Sequence, residues 1–329
     1  MLRRIGTMNP GEVEMNSRKA NGPIGEVVKD TPRFSGLTIV AWVSMLCVSS
    51  LTLISWRVLG AGEPSWWPPL IGVVLLFFVV STLVIQSLRP LRGYLAILSV
   101  CFFLGFGGSW TWGLIPYIRG SQLWMDWTSR APWKLSSLAI HILRLTPALT
   151  ILTYQLTRGK SLRDLLLVKG DTTAPVEPSI LLGIKKRESW TRVGSIFALV
   201  FFASTMVIMF LMVQPTLDMV FKSLSLIPTS LLIAVINSFN EEFTLRAAPI
   251  AELKDVLGKQ QSLLITSTYF GLGHFYGIPS GVVGVLLSSF LGWFNGKSII
   301  ETHGFFWAWL IHFLPDVVIF TFLAISAAG

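Results

Sequence analysis

The stretch RVGSIFALVFFASTMVIMFLMV, residues 192–213, carries no charge after Arg192. At about 1.5 Å per residue a helix of this length covers the roughly 30 Å hydrocarbon core of a bilayer. Only helices and closed barrels satisfy their own backbone groups in lipid, and barrel strands alternate polar and apolar residues over about ten positions. An unbroken run selects a helix. Working outward, comparable runs lie near 37–58, 67–88, 94–118, 134–156, 224–246, 261–277, 281–299 and 304–326. The chain has 329 residues, of which 52% are apolar and 13% charged, with a mean hydropathy of +0.66. Soluble domains carry about 25% charged residues, so a water-facing exterior is excluded. The fold class read from these runs is all-α, a polytopic membrane helical bundle of about eight or nine transmembrane helices.

The formal net charge of +9 sits in short loops beside apolar runs. There it sets topology and meets anionic headgroups, so nucleic acid is not an expected partner. Six Lys/Arg in the first 35 residues and eight between 157 and 192 place the N-terminus, 89–93, 157–192 and 247–260 in the cytoplasm. Trp66, Trp67, Trp124, Trp127 and Trp133 mark the opposite interface. No cleavable leader is expected. Cys47 and Cys101 both fall in apolar runs, which leaves no disulfide framework and no cysteine zinc site. The predicted division is a mobile tail at 1–35, a four-span half at 36–156, a hydrophilic connector at 157–191 and a functional core at 192–329.

Charge inside a span is costly and draws attention wherever it occurs. The first four spans hold little. His141 reads as a packing histidine, and Arg144 as an arginine that pairs with a carboxylate elsewhere or snorkels. The C-terminal half differs. Asn237-Ser238-Phe239-Asn240-Glu241-Glu242-Phe243-Thr244-Leu245-Arg246 ends one apolar helix, with Glu242 and Arg246 four apart and able to pair. Glu241 points about 100° away, free for chemistry. Phe270-Gly-Leu-Gly-His274 lies on the next span, and His312-Phe-Leu-Pro-Asp316 on the last. Unpaired burial of so many ionisable groups is prohibitive, so they should converge in one polar cavity in the C-terminal half. His303, beside Glu301 at a span edge, is assigned to headgroup contact.

The ordered pattern Glu-Glu-x-x-x-Arg, Phe-x-x-x-His and His-x-x-x-Asp resembles the CAAX-protease and bacteriocin-processing family of intramembrane endopeptidases, which includes the Ras-converting CAAX prenyl protease. Gly281, Gly284, Ser288, Gly292 and Gly296 add a stripe of small residues that lets helices pack closely. The resemblance covers about 180–326. It implies hydrolysis of a peptide bond in a membrane-associated peptide or protein. On that reading Glu241 activates water with His274, Glu242 and Arg246 form a supporting pair beside Phe270, and His312 with residue 316 stabilises the oxyanion. Asp316 departs from the pattern, because an amide donates to an oxyanion and an ionised carboxylate repels it. No cofactor is expected on the preferred metal-free mechanism. Zinc held by Glu241, His274, His312 and Asp316 is the alternative set.

Two other functions use the same residues. One is a non-catalytic immunity or assembly partner, for which Asp316 speaks. The other is a cation- or proton-coupled transporter, against which the lack of an internal repeat counts. The predicted spans also leave a mismatch in depth. Glu241 falls about 8 Å from the cytoplasmic end of its helix, while His274 falls roughly 20 Å along its own.

Overall fold

In the computed structural model each apolar run becomes a helix whose ends are set by local chemistry. The structure describes residues 35–60, 62–106, 112–277 and 279–329. The expected tail at 1–35 lies outside them, Ser35 excepted. Ser35 caps α1 (Gly36–Val48), its hydroxyl accepting from the Thr38 amide at 3.3 Å. Helix α2 (Leu51–Val58) is bent 57° from α1 at the Ser49-Ser50 break. After α3 (Trp67–Val84), with prolines in its first turn, a 3₁₀ turn over Gln86–Leu91 leads into α4 (Arg92–Leu104). Two short helices, α5 (Leu114–Arg119) and α6 (Gln122–Arg130), precede α7 (Trp133–Arg144) and α8 (Thr146–Thr157).

The hydrophilic connector that follows holds a small antiparallel pair, β1 (Pro175–Val176) with β2 (Glu188–Ser189). The core then runs through α9 (Trp190–Val213), α10 (Leu217–Ser223) and α11 (Ile227–Glu242). A π-helical turn over Phe243–Ala247 joins α11 to α12 (Ala248–Leu257). Helices α13 (Lys259–Gly273), α14 (Gly281–Thr302) and α15 (Phe306–Ala328) complete the chain.

Among the described residues seven helical segments are long and apolar enough to cross a membrane, or eight if the bent α1–α2 pair counts as one span. The all-α bundle stands, and the nine apolar runs yield fewer crossings. Helix α13 accounts for the difference. It has 15 residues, among them Gln260, Gln261, Ser262, Thr266, Ser267 and Thr268, and much of it is buried against other helices.

A second correction concerns 247–260, predicted as a cytoplasmic loop. The helix does not stop there. Residues 217–257 form one helical run, and the turn is Gly258, at φ +84°. Only glycine adopts that conformation without strain. Glu241 precedes Gly258 by 17 residues and His274 follows it by 16. Each thus stands about 25 Å along its helix from one shared turn, and the mismatch in depth disappears.

Glycines bring α13 and α14 into near contact. A Cβ on Gly271 would lie 1.9 Å from Ser289 Oγ and 2.7 Å from the Val285 carbonyl, and one on Gly292 would lie 3.2 Å from Ser267 Cα. A Cβ on Gly296 would meet Leu263 Cδ2 at 2.8 Å. The stripe foreseen on α14 is thereby used at Gly292 and Gly296, whereas a Cβ on Gly284 would lie 2.0 and 2.9 Å from the Pro279 and His274 carbonyl oxygens.

Among the described residues one apolar core joins segments from α4 to α15. Ile97 and Cys101 of α4, Ala148 and Ile151 of α8, Leu165 and Leu166 of the connector, Phe243, Ile299 and Ala308 pack in one cluster. The connector is docked rather than loose. The Asp171 amide donates to the Thr302 carbonyl at 2.8 Å, the Phe305 amide donates to Val168 at 2.7 Å, and Trp190 Nε1 donates to Glu301 Oε2 at 2.9 Å.

Candidate functional site

Glu241 and Glu242 sit at the end of α11, where the ladder changes from α to π. A π turn inserts one residue and redirects the side chains that follow it, a feature frequent at functional sites. The two carboxylates part as their angular offset predicts. Glu242 is fully buried, whereas the Glu241 side chain keeps 11% of its surface exposed. Glu242 Oε1 gathers three donors: Arg246 Nη1, Asn295 Nδ2 at 3.0 Å and His312 Nδ1 at 2.5 Å. The expected Glu242–Arg246 pair is present, and Asn295 of α14, which sequence reasoning passed over, joins it. Its signal was an amide side chain inside an apolar span.

With Nδ1 committed to Glu242, the His312 ring turns Nε2 toward Glu241 Oε2 at 3.6 Å and Asp316 Oδ1 at 3.8 Å. Asp316 does not stand unpaired, since its Oδ2 accepts from Asn237 Nδ2 at 3.1 Å. Asn237 lies one turn before Glu241 on α11, so a single helix face carries both the amide and the carboxylate. Pro315 lies within α15, where it removes one backbone donor next to this cluster.

His274 closes α13. Its Nδ1 donates to the Phe270 carbonyl at 2.9 Å, which leaves Nε2 as the uncommitted nitrogen. Phe270 is the hub of the apolar wall. The Arg246 guanidinium lies 3.8 Å over its ring, His274 packs at 4.2 Å, and the edge of His312 at 5.9 Å. Gly292 permits this packing, because a Cβ there would lie 3.3 Å from Phe270 and 3.5 Å from Arg246 Nε.

The first half of the chain supplies a residue as well. Arg144 Nη2 donates to Glu241 Oε1 at 3.1 Å. Local sequence explains the placement. Pro147 has no amide to offer the Leu143 carbonyl, which is taken instead by Thr146 Oγ1 at 2.8 Å. The helix breaks between α7 and α8, and the freed Arg144 carbonyl accepts from Asn240 Nδ2 at 2.9 Å. The carboxylate partner expected for Arg144 is therefore Glu241 itself. His141 is turned to its own helix and to α15, its Nδ1 on the Ser137 carbonyl at 2.8 Å and its ring against Phe320, in the packing role assigned to it. His303 is exposed at a left-handed turn, on the rim of a cavity of about 940 Å³ lined also by Lys160, Arg163, Lys169 and Lys254.

The cluster unites Glu241, Glu242, Arg246, Phe270, His274, His312 and Asp316 from three helical segments, with Arg144, Asn237 and Asn295 added. Several polar atoms inside it remain without a hydrogen-bond partner, among them Glu242 Oε2, Asn237 Oδ1, Arg246 Nε and Arg144 Nε. Such atoms suit a site that admits water or a polar chain. Among the described residues no group of three or more His, Cys, Asp or Glu side chains is arranged to hold a metal ion.

Residues 223–318, less than a third of the chain, match the family model of Rce1-like type II CAAX prenyl endopeptidases. The matched segment holds both acids, both histidines and Asp316, and ends short of the last turns of α15. No curated protein and no solved structure matches the chain.

Proposed function

We propose that this multi-pass membrane protein, whose residues 223–318 match the Rce1-like type II CAAX prenyl endopeptidase model, is an intramembrane endopeptidase that cuts a membrane-associated peptide or protein with Glu241 as general base. The observation that carries this reading is the contrast between the two adjacent acids. Glu242 is fully buried, with Arg246, Asn295 and His312 all donating to its Oε1, while Glu241 keeps exposed surface beside Nε2 of His312. A carboxylate already holding three donors is a poor base, and its half-free neighbour is the better one.

In the proposed reaction Glu241 takes a proton from water as the water oxygen bonds to the scissile carbonyl carbon. His274 Nε2 helps to orient that water. His312, fixed through Nδ1, directs Nε2–H at the carbonyl oxygen as charge collects there. Breakage of the C–N bond returns the proton from Glu241 to the leaving amine. Asp316 takes no direct part in binding the oxyanion. Held by Asn237, its carboxylate lies 3.8 Å from His312 Nε2 and steadies the imidazolium through charge.

The test is cleavage of a fluorogenic membrane-peptide library, prenylated peptides included, by purified protein in detergent. Wild type, Glu241→Gln and a chelator-treated sample run in parallel. Cleavage lost with Glu241→Gln and kept with chelator is the expected result. Loss with both treatments would bring the zinc set back. No cleavage by folded wild type would favour a non-catalytic binding partner.

A further inference from the structure

Among the described residues Arg144 is the one charged group from the first half of the chain in hydrogen-bond contact with the acid pair, and the matched segment 223–318 does not include it. We propose that Arg144 is a positioning residue for the reaction, holding the Glu241 carboxylate charged and aimed so that the N-terminal helices complete the site. The inference rests on the reading of Glu241 as general base.

Three observations carry it. The contact is direct, 3.1 Å from Nη2 to Oε1, and lies between largely buried side chains, 18% and 11% exposed. It leaves Glu241 Oε2 as the oxygen turned toward His312 Nε2 at 3.6 Å. One carboxylate oxygen is thereby anchored and the other presented. The backbone is anchored too, since the Arg144 carbonyl accepts from Asn240, the residue immediately before Glu241. Two bonds from α7 thus fix the position of the end of α11 from outside the core.

The charges around Glu241 come from every side. His312 and Asp316 face it from α15, His274 from α13 and His141 from α7, with Glu242 and Arg246 on its own helical run. Arg119 of α5 lies within reach of Arg144. Arg246 is drawn off by Glu242, and each histidine changes charge with pH. Arg144 is thus the permanent cation whose ion pair is with Glu241.

Cleavage kinetics as a function of pH, with Arg144→Gln, Arg144→Lys and Glu241→Gln beside wild type, test the proposal. Arg144→Gln should lower kcat by about 10- to 100-fold and move the acid limb of kcat/KM upward by about 1 to 3 pH units. Arg144→Lys should keep the limb near its native position, because a single N···O contact needs a point charge and no fork. Folded Arg144→Gln with native kcat and an unmoved limb would overturn the proposal. If Arg144→Gln does not fold, Arg144→Lys decides alone. Activity with a native acid limb supports the charge, and a folded Lys variant as inactive as Glu241→Gln overturns it. Glu241→Gln that still cleaves would sink the general-base reading and this inference with it, whereas a dead Glu241→Gln beside an unaffected Arg144→Gln would sink the inference alone.

Discussion

At the scale of single residues the buried ion pair sets the consequences of mutation. Arg246 and Glu242 have no exposed side-chain surface. Removing one partner strands a charge in a medium that cannot solvate it, at a cost of about 3–5 kcal/mol. Arg246→Met should therefore lower the thermal unfolding midpoint sharply, and tryptophan fluorescence on heating would read it. Asp316 is the residue whose chemistry was hardest to foresee. An ionised acid in its place looks hostile to catalysis until Asn237 is seen donating to it. Asn237→Leu should leave Asp316 without that donor and reduce cleavage by about tenfold while Glu241 stays in place. Unchanged cleavage rates in the folded variant would refute the role given to this pair.

At the scale of elements, the approach of α13 to α14 decides whether His274 of α13 and Asn295 of α14 can share a site. The contact is backbone against side chain at Gly271, where a Cβ would collide with Ser289 Oγ and the Val285 carbonyl. Gly271→Ala should cost about 1–3 kcal/mol by overpacking. Ser289→Gly relieves only one of the two collisions, so the double variant should recover part of the loss, a coupling that a double-mutant cycle on unfolding midpoints measures. The small-residue spacing on α14 announced this interface in outline. Its partner residue, Gly271, did not stand out, because a glycine three residues before a histidine reads equally well as room for a ligand. The π turn after Glu242 carried no signal either, since nothing in Phe243-Thr-Leu-Arg-Ala247 separates α from π hydrogen bonding.

At the scale of the whole molecule, ion pairs tie the hydrophilic parts to the core. Glu252 of α12 is nearly buried and accepts from Gln155 at 2.8 Å, Arg158 at 3.1 Å and Lys160, linking α8 and the start of the connector to the site-bearing run. Gly93 of α4 lies so close that a Cβ there would fall 2.0 Å from Glu252 Oε2. On the other face of the core Glu301 pairs with Lys297 and accepts from Trp190 and the Glu177 amide. Glu301→Ala should release the connector, and trypsin should then cut at Lys185, Lys186 and Arg187 faster than in wild type. Equal cutting rates would show that the backbone bonds from Asp171 and Phe305 hold the connector without the carboxylate.

The sequence by itself determined the class of the molecule and most members of the site. Uncharged runs of about 20 residues have one stable form in lipid, and ionisable groups within them are too costly to stand alone. That argument reached Glu241, Glu242, Arg246, His274, His312 and Asp316 without a structure, and the family resemblance added Phe270. Beyond the Glu242–Arg246 pair, only the tertiary structure decided which groups pair. It joined Arg144 to Glu241, Asn237 to Asp316 and Asn295 to Glu242. It also carried the helix through to Leu257, which brings Glu241 and His274 to one level. The physical reason is range. Hydropathy and helical periodicity are local and survive in the linear text, whereas a hydrogen bond between Arg144 and Glu241 spans 97 positions of chain and depends on how the helices tilt, break and pack.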